Sequence, residues 1–178
     1  VVVELRNSAN NTQVVASRRA LLQRDGDVVD LNGMAPLVIP APPASYHVAV
    51  RHRNHLGVMS AAPIVLSATT TSIDFRNASQ ATFGTDARRT EGSRMVLWSG
   101  DVAFDGNAKY SGSSNDRDPI LSAIGGVVPT NTLTGQYRQE DLNLDGVVKY
   151  SGSGNDRDII LQTIGGTVPT AVRDEQLP

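Results

Sequence analysis

The sequence predicts a mainly β protein in two parts, a small antiparallel β-sandwich followed by a duplicated loop and helix module. Three observations carry that reading. From Val1 to about Asn77, short β-branched runs alternate with turn residues. From Asp101 to Thr130 the chain reads "DVAFDGNAKYSGSSNDRDPILSAIGGVVPT", and from Asp141 to Thr170 it reads "DLNLDGVVKYSGSGNDRDIILQTIGGTVPT"; 20 of these 30 positions are identical without a gap, which is an internal duplication. Helical periodicity is missing from the first half and confined to one short run in each copy. The expected divisions are 1–77 for the sandwich, 78–100 for a connector with an apolar lead-in, and 101–178 for the repeats, with copies at 101–130 and 141–170.

Six runs are expected to form the strands of a sandwich of immunoglobulin or transthyretin type: "VVVELRN", "TQVVASR", "GDVVDLNG", "PLVIP", "YHVAVRHR" and "TSIDFRN". In "SYHVAVRH" a period of two puts Tyr46, Val48 and Val50 on one face and His47, Ala49 and Arg51 on the other. Pro36, Pro40, Pro42, Pro43 and Pro63 fall between or beside these runs, where the missing N–H costs no ladder hydrogen bond. "ATFGTDARRTEGS" reads as the connector and "RMVLW" as the lead-in. In each repeat a polar loop is followed by a helix that Asn115 or Asp116 can cap, that tolerates Pro119 in its first turn and that ends at Gly125-Gly126. Ile120, Leu121 and Ile124 form its apolar face; Ile159, Ile160, Leu161 and Ile164 form that of the second copy, before Gly165-Gly166. Helices this short need each other's apolar faces to be stable.

A formal charge of −2 gives no basic field to gather nucleic acid or an anionic membrane, and no apolar run reaches the ~18 residues of a membrane span. The chain opens on Val1-Val2-Val3 without a leader and is expected to be a mature product or a fragment. The absence of cysteine removes disulfides, thiolate metal sites and cysteine nucleophiles together.

The loops carry the chemistry. A hard cation such as calcium takes six to eight oxygens from carboxylates, amides, carbonyls and water. In the second copy Asp141, Asn143 and Asp145 fall at loop positions 1, 3 and 5, Gly146 at position 6 permits a sharp turn, and the carbonyl of Val147 at position 7 can point inward. The first copy offers Asp101, Asp105 and Asn107 around Gly106, with Ala103 where the third-position donor would be. Position 12, which closes the standard calcium loop with an acid, is Gly112 or Gly152. Asp116 and Asp156, at the helix starts, are the expected closing ligands; Asp118 and Asp158 are assigned instead to Arg117, Arg157 or a backbone N–H. The expected metal residues are therefore Asp101, Asp105, Asn107, Asp116, Asp141, Asn143, Asp145, Val147 and Asp156. That Asp, Asn, Gly and Ser are common turn formers explains one such loop more easily than two with the same spacing.

Elsewhere, Asp25, Asp27 and Asp30 with Asn32 suggest a third cation site, against which a hairpin turn at Asp25-Gly26 is simpler. His52 and His55 would face opposite sides of a strand, which argues against zinc and for surface or partner contacts. Trp98 reads as core rather than a sugar platform, and Tyr110 and Tyr150 are expected over the loops. No nucleophile elbow, phosphate loop or isolated carboxylate pair is present, so the reading is non-enzymatic.

Two loop and helix copies with "DLNLDG" and no leading helix resemble the duplicated calcium-binding, EF-hand-like repeat of dockerins. The longer pattern "DGVVKYSGSGNDRDIILQTIGG", with "EQLP" at 175–178, resembles the C-terminal regions of large secreted or surface proteins of Bacteroidota, where a small β-sandwich often precedes the repeat. That resemblance implies an extracellular or cell-surface, calcium-stabilised module. It does not imply cohesin binding, because the "KYSGS" insertion enlarges the loop. The expected function is a secreted, non-catalytic structural subunit of a filament, tube or surface layer, assembling as a homo-oligomer or polymer. The alternative is an anchoring module of a larger enzyme or adhesin, with a polysaccharide or surface protein as partner.

Overall fold

A computed structural model describes residues 1–178, and the protein is mainly β, with several antiparallel sheets and two helices. The chain divides into two compact units. The first comprises Val1–His52, Gly57–Leu97 and Gln176–Pro178; the second comprises Arg53–Leu56 and Trp98–Glu175.

In the first unit the strands are β1 (Val2–Asn7), β2 (Val14–Arg19), β3 (Leu21–Leu22), β4 (Val28–Val29), β5 (Ala44–His52), β6 (His55–Met59, of which Gly57 onward lies in this unit), β7 (Ile64–Leu66), β8 (Arg88–Glu91) and β9 (Arg94–Leu97). The main sheet runs β2-β1-β5-β6, with β7 paired to the start of β5. The pairings β1–β2, β1–β5 and β5–β7 are antiparallel, and Val3 lies opposite Val50 and Leu5 opposite Val48. Those alternate residues form the core: Val3, Leu5, Tyr46 and Val48, with Ala20, are buried together. The other face of β5 is covered as well, since Ala49 is fully buried and His47 Nδ1 lies 3.0 Å from the Ser60 carbonyl.

Two expected strands do not form. "PLVIP" makes only an isolated bridge, Pro36 to Val29, because Pro36 and Pro40 lack ladder donors; Leu37 and Ile39 still cover the core from an irregular segment. "TSIDFRN" breaks at Asp74–Asn77 into a turn closed by Asn77 N–H to the Asp74 carbonyl at 3.1 Å, and Ile73 alone reaches the core. The stretch expected as a connector carries the hairpin β8–β9. His52, expected at the surface or against a partner, is buried within the chain.

The second unit continues with β10 (Asn107–Lys109), α1 (Arg117–Ala123), β11 (Thr132–Thr134), β12 (Val147–Lys149), α2 (Asp156–Thr163) and β13 (Val172–Asp174). Its short strands cross between copies: β10 pairs with β13 and β11 with β12. The strand after each helix therefore closes on the loop of the other copy. The same exchange recurs in the side chains, Ser111 Oγ donating to the Pro169 carbonyl and Ser151 Oγ to the Pro129 carbonyl, each at 2.7 Å. One core serves both copies, made of Val102, Ile120, Ile124, Leu142, Val148 and Ile160, with Tyr110 and Tyr150 packed at its margin. Gly100, at φ 131°, sits where a Cβ would meet the Ala108 Cβ at 3.3 Å, so the chain enters the first loop with no room for a side chain.

Candidate metal centres

Each loop is a run of tight turns organised around two carboxylates. Asp101 Oδ1 accepts from the Asp105 N–H at 3.0 Å and Oδ2 from the Gly106 N–H at 3.1 Å; Asp141 does the same with Asp145 at 3.1 Å and Gly146 at 3.0 Å. Asp116 Oδ1 accepts from the Ala103 N–H at 2.9 Å and Oδ2 from the Lys109 N–H at 2.7 Å. Asp156 accepts from Leu142 and Asn143 at 2.7 and 3.2 Å through Oδ1, and from Lys149 at 2.8 Å through Oδ2. The first carboxylate of the loop and the one at the helix start thus grip the same backbone from both ends. All four are buried, with Asp101 and Asp156 at 0% exposure.

Burial pushes the Asp101 carboxyl up to about 6, against the pull of its two N–H bonds and with the negative charges of Asp105 and Glu175 adding to the rise. Burial likewise raises Asp116 to about 6, with Asp101 adding, and Asp156 to about 6, with Asp141 adding. Buried carboxylates this close to one another and held only by neutral donors favour either a proton or a cation.

The turns themselves need unusual backbone. Gly106 and Gly146 have φ of 83° and 86°, which their lack of a Cβ permits. Phe104 and Leu144, at loop position 4, take φ of 55° and 62°, a left-handed conformation that costs about 1–2 kcal/mol for a residue with a side chain. The same strain appears in both copies, and both side chains are exposed, at 44% and 47%.

The remaining expected residues separate. Asn143 lies in its loop, with Oδ1 accepting from the Asp145 N–H at 2.9 Å and Nδ2 donating to Asp145 Oδ2 at 3.0 Å. Asp145 Oδ1 accepts from the Val147 N–H at 2.8 Å. In the first copy Asp105 Oδ1 accepts from the Asn107 N–H at 3.0 Å and from its Nδ2 at 3.3 Å. Asp118 and Asp158 turn away from the loops. Their backbone N–H groups donate to Asn115 Oδ1 and Asn155 Oδ1; Asn155 is the N-cap of α2, whereas at α1 Asp116 holds the N-cap position without a side-chain bond and Asn115 supplies the acceptor. Arg157 holds Asp158 at 2.9 Å and stands 5.1 Å from the centre of the Tyr150 ring. No three His, Asp or Glu side chains converge closely enough to hold a metal ion between them. The donor set is nonetheless oxygen only, which fits a hard divalent cation rather than zinc. It is fuller in the second loop, where Asn143 replaces Ala103.

Near the N-terminal half, the acids offered as a third site are taken by arginines: Asp30 by Arg18 at 2.6 Å and Asp27 by Arg76 at 3.6 Å. Asp25 Oδ1 accepts from the Asp27 N–H, as a turn residue does.

Sequence reasoning did not find the residues that brace the second unit from outside the loops. Asn54 is fully buried and donates through Nδ2 to the carbonyls of Gln139 at 2.9 Å and Asp141 at 2.7 Å. Ser99 Oγ donates to the Leu142 carbonyl at 3.1 Å, and Gln139 Nε2 donates to the Val102 carbonyl. Ser99 and Gln139 are 40 residues apart, so the repeat offset extends two residues upstream of Asp101 and Asp141 in role though not in residue type. Trp98 stacks under Arg173, whose guanidinium carbon is 3.6 Å from the ring centre. No protein-family model matches the chain, and no curated protein or solved structure is significantly similar to it, so function is read from its own residues.

Proposed function

We propose that this chain is a secreted, non-catalytic calcium-binding structural protein whose duplicated loops are cation sites of dockerin type. The observation that supports it is the repetition: the same oxygen-only loop, with the same strained fourth residue and the same two buried carboxylates, is built twice around one core. A turn needing no ligand would not bury Asp101 and Asp116 beside each other without a countercharge. Calcium bound to the folded form alone adds RT ln(1 + [L]/Kd) to its stability, about 2.7 kcal/mol at a hundredfold excess over Kd.

The first unit, a five-stranded sheet with two small hairpins, is read as a sandwich-type contact module. Its edge strand β2 leaves Val14 and Val15 exposed, which suits pairing with a neighbouring subunit in a filament, tube or surface layer outside the cell. The second reading is an anchoring module of a larger secreted enzyme or adhesin, with a polysaccharide or surface protein as partner. No helix is long and apolar enough to cross a membrane, which suits either reading.

Sedimentation and negative-stain imaging, in millimolar calcium and again in EGTA, test the choice. Large ordered particles that dissolve in chelator support assembly. A monomer whose melting temperature rises with calcium supports the anchoring module, and one indifferent to calcium in both respects sinks the proposal.

A further inference from the structure

The main sheet of the first unit has a second face. Val3 and Leu5 point into the core, so Glu4 and Arg6, which alternate with them on β1, stand on the opposite side. Arg6 is nonetheless buried there, at 4% exposure. Its Nε and Nη2 donate to Glu4 Oε2 at 2.9 and 2.8 Å, which offsets the charge. Its Nη1 donates to the Asn11 carbonyl at 3.3 Å and to the main-chain oxygen of Pro178 at 3.0 Å. A buried guanidinium N–H needs an oxygen acceptor, and here one of them comes from 172 residues further along the chain.

Residues 176–178 belong to the first unit, although Glu175 belongs to the second. Gln176 is their anchor. A Cβ built on Gly84 would stand 2.7 Å from the Gln176 Cβ and 3.0 Å from its Cδ, so the glutamine fills the space that a side chain at position 84 would need. Gly84 has φ of 79°, which suits its lack of a Cβ. The neighbouring Thr85 N–H donates to Gln176 Oε1 at 3.3 Å. Gln176 and Leu177 are half-buried. The segment forms no strand, pairs with no strand of the sheet and contributes to neither apolar core. Its seat is therefore built by residues whose own strands and turns are complete without it.

We propose that Arg6, Gly84 and Thr85 form a docking site for an extended, glutamine-bearing peptide segment, filled by the chain's own residues 176–178 as a strap that detaches without unfolding the sheet. The seat defines its ligand. A glutamine side chain occupies the space over Gly84 and accepts from Thr85, and two residues further on a main-chain oxygen meets Arg6. This site is independent of the calcium reading.

Fluorescence anisotropy of a labelled peptide of residues 175–178 tests the site, with the full chain as parent, as Gln176→Ala, and as Gln176→Ala with Gly84→Ala. In the parent the seat is already filled. The peptide should therefore bind Gln176→Ala at least about tenfold more tightly than the parent, and adding Gly84→Ala should cancel that gain. Amide hydrogen exchange separates a strap from a fixed part of the fold. In Gln176→Ala the Thr85 amide should exchange about tenfold faster, while the amides of Val2–Asn7 stay within about twofold of the parent. Equal peptide binding by parent and Gln176→Ala, or binding that survives Gly84→Ala, would overturn the proposal. Loss of protection at Val2–Asn7 together with Thr85 would overturn it as well, since the segment would then be an integral part of the first unit.

Discussion

The copy at 101–130 and the copy at 141–170 share much of their scaffold hydrogen bonding and divide at residues of and around the loop. Lys109 Nζ donates to the Ser113 carbonyl and Lys149 Nζ to the Ser153 carbonyl, each at 2.6 Å. Asn115 Nδ2 and Asn155 Nδ2 reach Asp118 and Asp158, each at 2.8 Å. Against this uniformity stand Ala103 and Asn143, Asn107 and Val147, Ser114 and Gly154, and Glu175 and Gly135. The difference teaches that the shared core and crossed strands dictate the backbone, while the donors are free to vary on top of it. A scaffold of this kind keeps one backbone in both copies while the side chains on its loops differ.

The largest expected effect separates the copies by pH. In chelator, Asp101, Asp116 and Asp156 hold protons up to about 6 in the folded state, whereas in the unfolded chain they lose them near 3.8. The folded state thus binds more protons between these values. Stability contributed by the three groups is full below about pH 4 and is lost as pH rises through 6, on the order of 2 kcal/mol each. Urea unfolding at pH 5 and pH 7 in EDTA should show the higher value at pH 5. The pair Asp101→Asn and Asp116→Asn should remove more of that slope than Asp156→Asn, and the reverse order would break the comparison.

Next, Ile120 and Ile160 are both fully buried in the one core. Ile120→Ala and Ile160→Ala should each cost about 2–5 kcal/mol in urea unfolding and lower a single transition, since neither copy has a core of its own. Two separate transitions would show that the copies fold independently.

Removing the helix-start carboxylates comes third. Asp116→Ala and Asp156→Ala leave loop N–H groups without an acceptor and should each cost about 1–3 kcal/mol by the same measurement. A gap of more than about 1 kcal/mol between them would show that the scaffold is not equivalent in the two copies. For the donors, Asp145→Ala should weaken the second calcium step about tenfold, roughly 1.4 kcal/mol, and more than Asn107→Ala weakens the first, since position 7 ligates through its carbonyl. Equal affinities for both variants and the parent would remove the site assignment. Smallest and opposite in sign, Phe104→Gly and Leu144→Gly should each raise stability by up to about 1 kcal/mol, because glycine accepts the left-handed backbone that these residues strain to reach.

Much of this was legible in the sequence, and for local reasons. The duplication, the two helices and their glycine ends are all written within ten or twenty contiguous residues, where spacing decides geometry; spacing alone leaves the choice of cap between Asn115 and Asp116 open. The strands Val2–Asn7 and Ala44–His52 were legible because β-branched alternation over six or nine residues has few other solutions. What escaped is non-local. Strands of three residues such as Asn107–Lys109 and Val172–Asp174 have too few positions to show a period, and their partners lie more than 60 residues away. Asn54 gave no signal, since a single buried amide donating to two distant carbonyls looks like any polar turn residue. "PLVIP" misled because its apolar residues do cover the core, but without the ladder that its prolines deny it.

The crossing of the short strands also sets a timetable for synthesis. The strand Asn107–Lys109 is made before its pairing partner Val172–Asp174, which follows more than 60 residues later. At translation speeds of roughly 5–20 residues per second, the first loop therefore spends several seconds half-built while the second copy is still being made. Closure of a contact this distant in sequence is a late and slow event, so the strand after α2 acts as the final latch of the whole second unit.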